Sequence, residues 1–351
     1  MMQDPKSKAG EVKFRARLYE QQVLGANPME GELSSEQMLA TMRGRIEKTR
    51  RDFAELAEAH LLKGPFLELG AERCQRSLVL ANDFGLEGFA ADLSFESMLY
   101  ADFLAKQVGF AAMPKRICCD AMRLPLADNS IGFAFCYQTL HHFPDPAPIL
   151  QEIYRVLKPG AVLFIDEEPI TRVCKLNLWK RRVSPVGSGN KYLRYAKDYL
   201  LDFVSEPVVN EVDYGICEND DISLAQWERA LGQVAKKSIR LRVLPLPKFM
   251  SRVTHNSSRW GLRSWMCQGL GGILTATIQP KAAGAGAGAG KTPIEALCCP
   301  ACHGHLNESA GALSCQSCGS SYPVRQGIPM LLPREELNSL YAEKEVATPA
   351  S

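Results

Sequence analysis

Between Ser34 and Leu62, the apolar residues Leu39, Met42, Ile46, Phe53 and Leu56 recur at three- and four-residue steps, and Ser34 with Gln37 fits a capping box. This predicts an amphipathic helix, within a helical extension over 1–62, that packs its stripe on the following domain. After Lys63-Gly64-Pro65 the pattern changes. Short apolar runs predict strands at 66–69, 88–91, 116–119, 131–137 and 161–165. Helical patterns fill the gaps, notably 95–108 after Ser94 and 147–157 after Asp145-Pro146, which supplies a cap and a first-turn proline. Short buried strands alternating with helices predict a doubly wound, mostly parallel α/β sheet. A helix at 223–234 and strands at 237–244 and 272–278 close a domain over 63–280, interrupted by insertions at about 171–221 and 245–270.

Composition adds bounds rather than a function. With 351 residues, 46% of them hydrophobic, the chain can fill one large core plus a smaller unit. A formal net charge of +2 gives no global field for nucleic acid, so any polyanion binding has to be local. There are twelve cysteines, but Met1 to Lys6 lack the apolar run of a signal peptide, and no segment approaches the ~20 apolar residues of a membrane span. The expected compartment is therefore reducing and cytoplasmic, with cysteines as buried thiols or metal ligands.

The most informative stretch is 117–169, ICCDAMRLPLADNSIGFAFCYQTLHHFPDPAPILQEIYRVLKPGAVLFIDEEP. It has an acid just past a strand, a second strand opening onto paired histidines, a helix stopped by Lys158-Pro159-Gly160, and a third strand. That order is the second half of a nucleotide-binding sheet, and in such sheets ligands sit beyond the carboxyl ends of the strands. The run resembles class I S-adenosylmethionine-dependent methyltransferases of the type that includes quinone-biosynthesis enzymes. The resemblance implies a seven-stranded Rossmann-like sheet whose last strand is antiparallel, with S-adenosylmethionine as cofactor.

Carried over residue by residue, it selects Glu68 and Gly70 after the first strand, where Glu72 and Cys74 replace two glycines of the family pattern. Either that loop is remodelled, with Glu72 helping to bind a cationic cofactor, or binding is impaired. Asp92, followed by Leu93, stands where an acid accepts from both ribose hydroxyls. Asp120 and Ala121 stand where the adenine is contacted, and Gln138 beside the methionine portion. His141 and His142 are candidate general bases, since unperturbed imidazole titrates near neutrality, or they are structural. Asp166, Glu167 and Glu168 end the fifth strand on the active-site rim, where they either face substrate or, as expected, form a solvated acidic edge.

Past a Gly/Ala linker over 281–293, Cys299-Pro300-Ala301-Cys302 and Cys315-Gln316-Ser317-Cys318 set two CxxC knuckles, which suit tetrahedral zinc. Cys298, His303 and His305 are alternative ligands. Residues 294–336, with Tyr322-Pro323-Val324 and Gly327-Ile328-Pro329, resemble the zinc-ribbon activators of tRNA methyltransferases. That resemblance implies a ribbon packed on this chain's own methyltransferase domain, followed by a tail over 337–351. The linker almost spells a phosphate-binding loop at 285–292, but Pro293 falls where its helix would begin.

The acceptor is not identified. Arg172, Lys175, Lys180, Arg181, Arg182, Lys191, Arg194 and Lys197 interleave with aromatic and aliphatic residues, which suits an anionic or membrane-associated acceptor, or RNA. The rival readings are a non-catalytic binding or scaffold protein with a degenerate cofactor loop, and nicotinamide-dependent redox chemistry, which leaves the LHH and RVLKPG runs unexplained.

Overall fold

A computed structural model describes residues 5–24, 33–182, 191–208, 214–216, 222–244, 252–282, 293–309 and 311–341. Most of the Gly/Ala linker with the near phosphate loop, the start of the second insertion and the tail from 342 lie outside the described residues. Two helices, α1 (Pro5–Gln22) and α2 (Ser35–Glu58), precede the sheet. At the start of α2 the Ser34 hydroxyl accepts from Gln37 N at 3.2 Å and Gln37 Oε1 accepts from Ser34 N at 3.0 Å, the reciprocal cap its sequence predicts.

The alternation then runs β1 (Phe66–Leu69), α3 (Gln75–Asp83), β2 (Gly88–Asp92), α4 (Phe95–Val108), β3 (Lys115–Cys119), β4 (Ile131–Tyr137), α5 (Ala147–Val156) and β5 (Leu157–Ile170). Side chains alternate across these strands and bury both faces. Leu67, Leu69, Ala134, Cys136, Leu163 and Ile165 meet α5 and α7 (Leu224–Leu231), while Phe66, Phe133, Phe135 and Phe164 meet α2 and α3. Phe53 of α2 sets its ring edge-on to Phe135 at 5.1 Å and Phe133 at 6.0 Å. Burying such a ring contributes about 1.5–3 kcal/mol.

Lys158-Pro159-Gly160 does not separate α5 from the fifth strand as a turn. The strand starts at Leu157, the three residues form an irregularity between the Ile131–Leu157 and Phe133–Val162 pairings, and Gly160 takes the required positive φ of 78°.

The expected seven-stranded sheet is present but is only the middle of a larger one. With β8 (Lys236–Val243), β9 (Arg252–His255), β10 (Gly272–Gln279), β11 (Leu306–Ser309), β12 (Ala312–Cys315), β13 (Ser321–Arg325) and β14 (Ile328–Leu331), the order is β11-β12-β13-β14-β3-β2-β1-β4-β5-β10-β8-β9, twelve strands, while β6 (Trp179–Arg182) and β7 (Ser205–Val208) pair in parallel as a separate two-stranded sheet. The core β3-β2-β1-β4-β5 is parallel and β10 is antiparallel to its neighbours. An open sheet leaves unpaired backbone at both edges, and both are used. The second insertion adds β9 to β8, and the cysteine-rich region adds β14 to β3 in parallel, pairing Met330 with Cys118 and Leu331 with Cys119.

Candidate functional site

The carboxyl ends of β1, β2, β3 and β4 open into a cavity of about 1210 Å³. That exceeds the roughly 300–1,000 Å³ of an ordinary small-molecule pocket and leaves room for two ligands side by side. Gly70, Glu72, Asp92, Leu93, Asp120, Ala121, Gln138, His141 and His142 all line it. Glu68 does not. Its buried carboxylate turns back to accept from Ser77 N at 2.9 Å and from the Ser77 hydroxyl, which ties β1 to the first turn of α3. Burial pushes Glu68 up to about 7.

Glu72 and Cys74, which stand where the resemblance has glycines, lie in left-handed backbone. Both hold positive φ, 48° and 56°, as Gly70 does at 65°. Left-handed backbone at a non-glycine costs on the order of 1–3 kcal/mol and collects at functional sites. Gly70 itself admits no side chain, because a Cβ there would lie 2.5 Å from the Thr139 side chain. Cys74 and Arg73 are buried and do not line the cavity.

Asp92 accepts from Glu72 N at 2.7 Å and Ser94 N at 2.8 Å, and burial nonetheless raises it to about 6. The Glu72 carboxylate is engaged by Arg15 at 2.9 Å, Arg45 at 3.1 Å and Arg73. Burial opposes its ionisation, but the three guanidinium groups outweigh it and hold Glu72 well below the usual carboxylate range. Its charge is thus already compensated by arginines.

The roof of this half is α1, which sequence periodicity missed. Lys8 Nζ lies 2.7 Å from Asp120 Oδ2 and also meets Glu336 on the helix Arg334–Tyr341, while Glu11 and Arg15 face the cavity. Burial would lower Lys8, yet the two carboxylates raise it above its ordinary value and keep it charged. Asp120 Oδ1 accepts from Met122 N at 2.9 Å. At Gly10 a Cβ would lie 2.1 Å from Tyr214 O, so the helix seats there by backbone approach.

The acidic run at the end of β5 is not the solvated edge its composition suggests. Asp166 and Glu168 are buried. Glu168 accepts from Thr139 N at 2.8 Å, Leu140 N at 3.0 Å and His141 N at 3.2 Å, and lies 2.9 Å from His141 Nδ1. One carboxylate therefore fixes the turn that carries both histidines. The His142 ring packs 4.4 Å from that of His141; burial, then its neighbour, lowers His142 to about 4, so it is neutral at physiological pH.

The other half of the cavity is lined by Thr171, Arg172, Lys175, Lys180, Arg181 and Leu270, from the two insertions. Outside the cavity lining, the Sγ atoms of Cys299, Cys302, Cys315 and Cys318 all lie within 4.8 Å of one another, with Cys299–Cys318 at 3.7 Å and Cys302–Cys315 at 3.5 Å. A tetrahedron with arms of about 2.3 Å has edges of about 3.8 Å, so the four thiols fit zinc. Cys298, His303 and His305 stand outside the cluster.

Residues 67–165 match the model of the methyltransferase domain family, and residues 294–327 that of Trm112p-like proteins. The chain carries a methyltransferase domain of Rossmann-like α/β fold and a C-terminal Trm112p-like domain. Among curated relatives, demethylmenaquinone methyltransferase of Listeria welshimeri is 35% identical over 88 residues, 25% of this chain and 37% of its own length. Cycloartenol-C-24-methyltransferase 1 of Oryza sativa subsp. japonica is 40% identical over 52 residues, 15% of each chain. This chain thus spans well under half the length of those two relatives. A chain from the solved complex containing the Haloferax volcanii Trm112 methyltransferase activator matches at 17% identity and a TM-score of 0.37, over 71% of this chain and 97% of its own. No helix among the described residues is long and apolar enough to cross a membrane.

Proposed function

We propose that this chain is an S-adenosylmethionine-dependent methyltransferase whose acceptor occupies the basic half of the cavity, with a zinc-bound ribbon as its built-in stabiliser. The supporting observation is one continuous cavity that joins Gly70, Asp92, Asp120 and Ala121 at the strand ends to the basic rim of the insertions. S-Adenosylmethionine, when bound, supplies a methyl group on a sulfonium that departs as a neutral thioether. Asp92 would accept from the ribose hydroxyls, Asp120 and the Ala121 amide would read the adenine, Leu93 would flank it, and Gln138 would lie by the methionine portion. Glu68 acts from behind, fixing α3 through Ser77. In-line transfer is served chiefly by holding the two ligands in register. His142, neutral above about pH 4, can take the proton that an acceptor hydroxyl or amine releases.

Incubation with methyl-labelled S-adenosylmethionine and fractionated extract tests this directly. Label should pass to one extract fraction; none passing to any fraction would contradict it. Because ionised Asp92 is the better acceptor and its folded pKa is about 6, cofactor affinity should be flat above pH 7 and weaken as pH falls through about 6, measured by calorimetry.

The scaffold reading draws on one observation, the Lys8–Asp120 pair, which occupies the acceptor an adenine amino group would use. If Lys8 merely closes a lid, Lys8→Ala should tighten cofactor binding several-fold, since no ion pair then has to be displaced. If the cavity is an inert scaffold, neither form binds.

A further inference from the structure

The large exposed apolar side chains among the described residues all fall in the two insertions, at 173–203 and 262–270. Leu178 is 67% exposed, Leu200 69%, Leu262 78%, Trp179 49% and Trp265 61%. They form one surface. Val173 N and Cys174 N donate to Gln268 O and Gly269 O at the end of α8 (Leu262–Leu270), and Leu176 N and Leu178 N donate to Phe203 O and Val204 O at the end of α6 (Lys191–Val204). Tyr199 Oη closes the ring by donating to Leu270 O at 3.0 Å.

Charge follows the same segments. Residues 171–208 carry eight basic and three acidic side chains, and 252–270 three arginines and no acid, in a chain whose formal net charge is only +2. Lys180, Arg182, Arg259 and Arg263 are exposed beside the apolar groups. The patch is also continuous with the cavity, since Lys180, Arg181 and Leu270 belong to both.

The patch is held in shape from beneath. His255 is 2.8 Å from Ser264 Oγ through Nδ1 and 2.8 Å from Glu228 Oε1 through Nε2, and Trp260 Nε1 donates to Glu228 Oε2 at 3.0 Å. The trio has the composition of a hydrolase relay, but Ser264 and His255 are buried and neither lines the cavity. Its effect is to clamp the inner side of α8, which leaves Leu262 and Trp265 outward.

We infer that this surface docks on an anionic lipid bilayer, so that the mouth of the cavity meets the interface and the acceptor is an amphipathic lipid drawn from it. Apolar side chains interleaved with cations suit the headgroup boundary, tryptophan prefers that layer, and the local positive charge complements anionic headgroups. An RNA surface does not call for bare Leu178, Leu200 and Leu262, and a second copy of this chain would bring like charges together. The lipid acceptor rests on the methyltransferase reading; the docking does not.

The test is flotation of the full, zinc-loaded chain with vesicles of phosphatidylcholine alone or with about one third phosphatidylglycerol, near 0.15 M salt. Binding should be at least ~10-fold greater on the anionic vesicles, and both Leu262→Asp with Trp265→Asp and Arg259→Glu with Arg263→Glu should remove most of it, while calorimetric binding of S-adenosylmethionine stays at the parental value. Absence of vesicle binding, or binding unchanged by the Leu262/Trp265 pair, overturns the inference. So does tighter binding to a structured RNA than to vesicles, or a dimer in sedimentation that the same pair dissociates. Vesicle binding by a chain that binds no cofactor would uphold the docking and remove the methyltransferase reading instead.

Discussion

Stripping the proposed zinc from Cys299, Cys302, Cys315 and Cys318 is expected to destabilise the sheet as well as the ribbon. A structural zinc contributes about 10–16 kcal/mol in small finger modules, which have too little core to fold without it. Here the consequence extends further, because β14 is the outer neighbour of β3. Ile328, Met330, Leu331 and Leu332 are fully buried, and Ile328, Met330 and Leu332 share a cluster with Phe95, Met98 and Cys118. Each such side chain contributes about 1.5–3 kcal/mol by burial. Tyr341 extends the contact, its hydroxyl accepting from Phe95 N at 3.1 Å and donating to Leu93 O beside the cavity. Loss of the ribbon would expose this apolar face and the edge of β3, which invites aggregation. Circular dichroism with light scattering should show the main melting transition fall by on the order of 10 °C in chelator, or in Cys299→Ser with Cys302→Ser, together with aggregation. A ribbon that melts alone, with the sheet transition unmoved, would separate the two domains energetically.

Glu168→Ala should cost on the order of 3–5 kcal/mol in urea denaturation, a large loss for one surface-looking residue. The carboxylate is fully buried and accepts from three successive amides, Thr139, Leu140 and His141, as well as facing the His141 ring. Its removal strands those donors, each worth about 1–3 kcal/mol when left unsatisfied. Glu168→Gln keeps the shape and one acceptor and should cost less than half as much. Because the same turn lines the cavity, cofactor affinity should fall with stability in Glu168→Ala. A change within ~0.5 kcal/mol would mean that the turn is held by something other than this carboxylate.

How far the sequence was legible depends on what each residue faces. Strands β1 and β4 and helix α4 have the bounds their patterns predict, because short apolar runs, Ser94 and Gly109 are local signals. Helix α1 is not, since it is buried on more than one side: Val12, Phe14, Leu18 and Tyr19 are covered, but so are Lys8, Gln21 and Gln22, and no single apolar stripe results. Lys8 and Arg15 therefore gave no sign of lying over the cavity. Glu168 is hidden for a related reason. A DEE run reads as solvent-facing, while the pleat of β5 and the turn at 139–141 turn its third member inward. The sheet count of seven was right for its core and blind to its edges, since strand pairing between distant segments, Met330 with Cys118, leaves no local pattern. The four thiols, by contrast, were legible from spacing alone, because two short knuckles suffice to define a tetrahedron.

Glu72 and Cys74 stand where the resemblance has glycines, in the loop beside Asp92. Both hold left-handed backbone, and Glu72 N donates to Asp92, so the loop is fixed beside that carboxylate at a cost in strain. Titration calorimetry of the zinc-loaded chain with S-adenosylmethionine at pH 7.5, beside Asp92→Ala, bears most directly on whether the cavity is a cofactor site. The expected result is one site of micromolar-range affinity that Asp92→Ala abolishes while the melting transition stays within a few degrees. No heat of binding by the folded parent chain, or equal binding by Asp92→Ala, would contradict it.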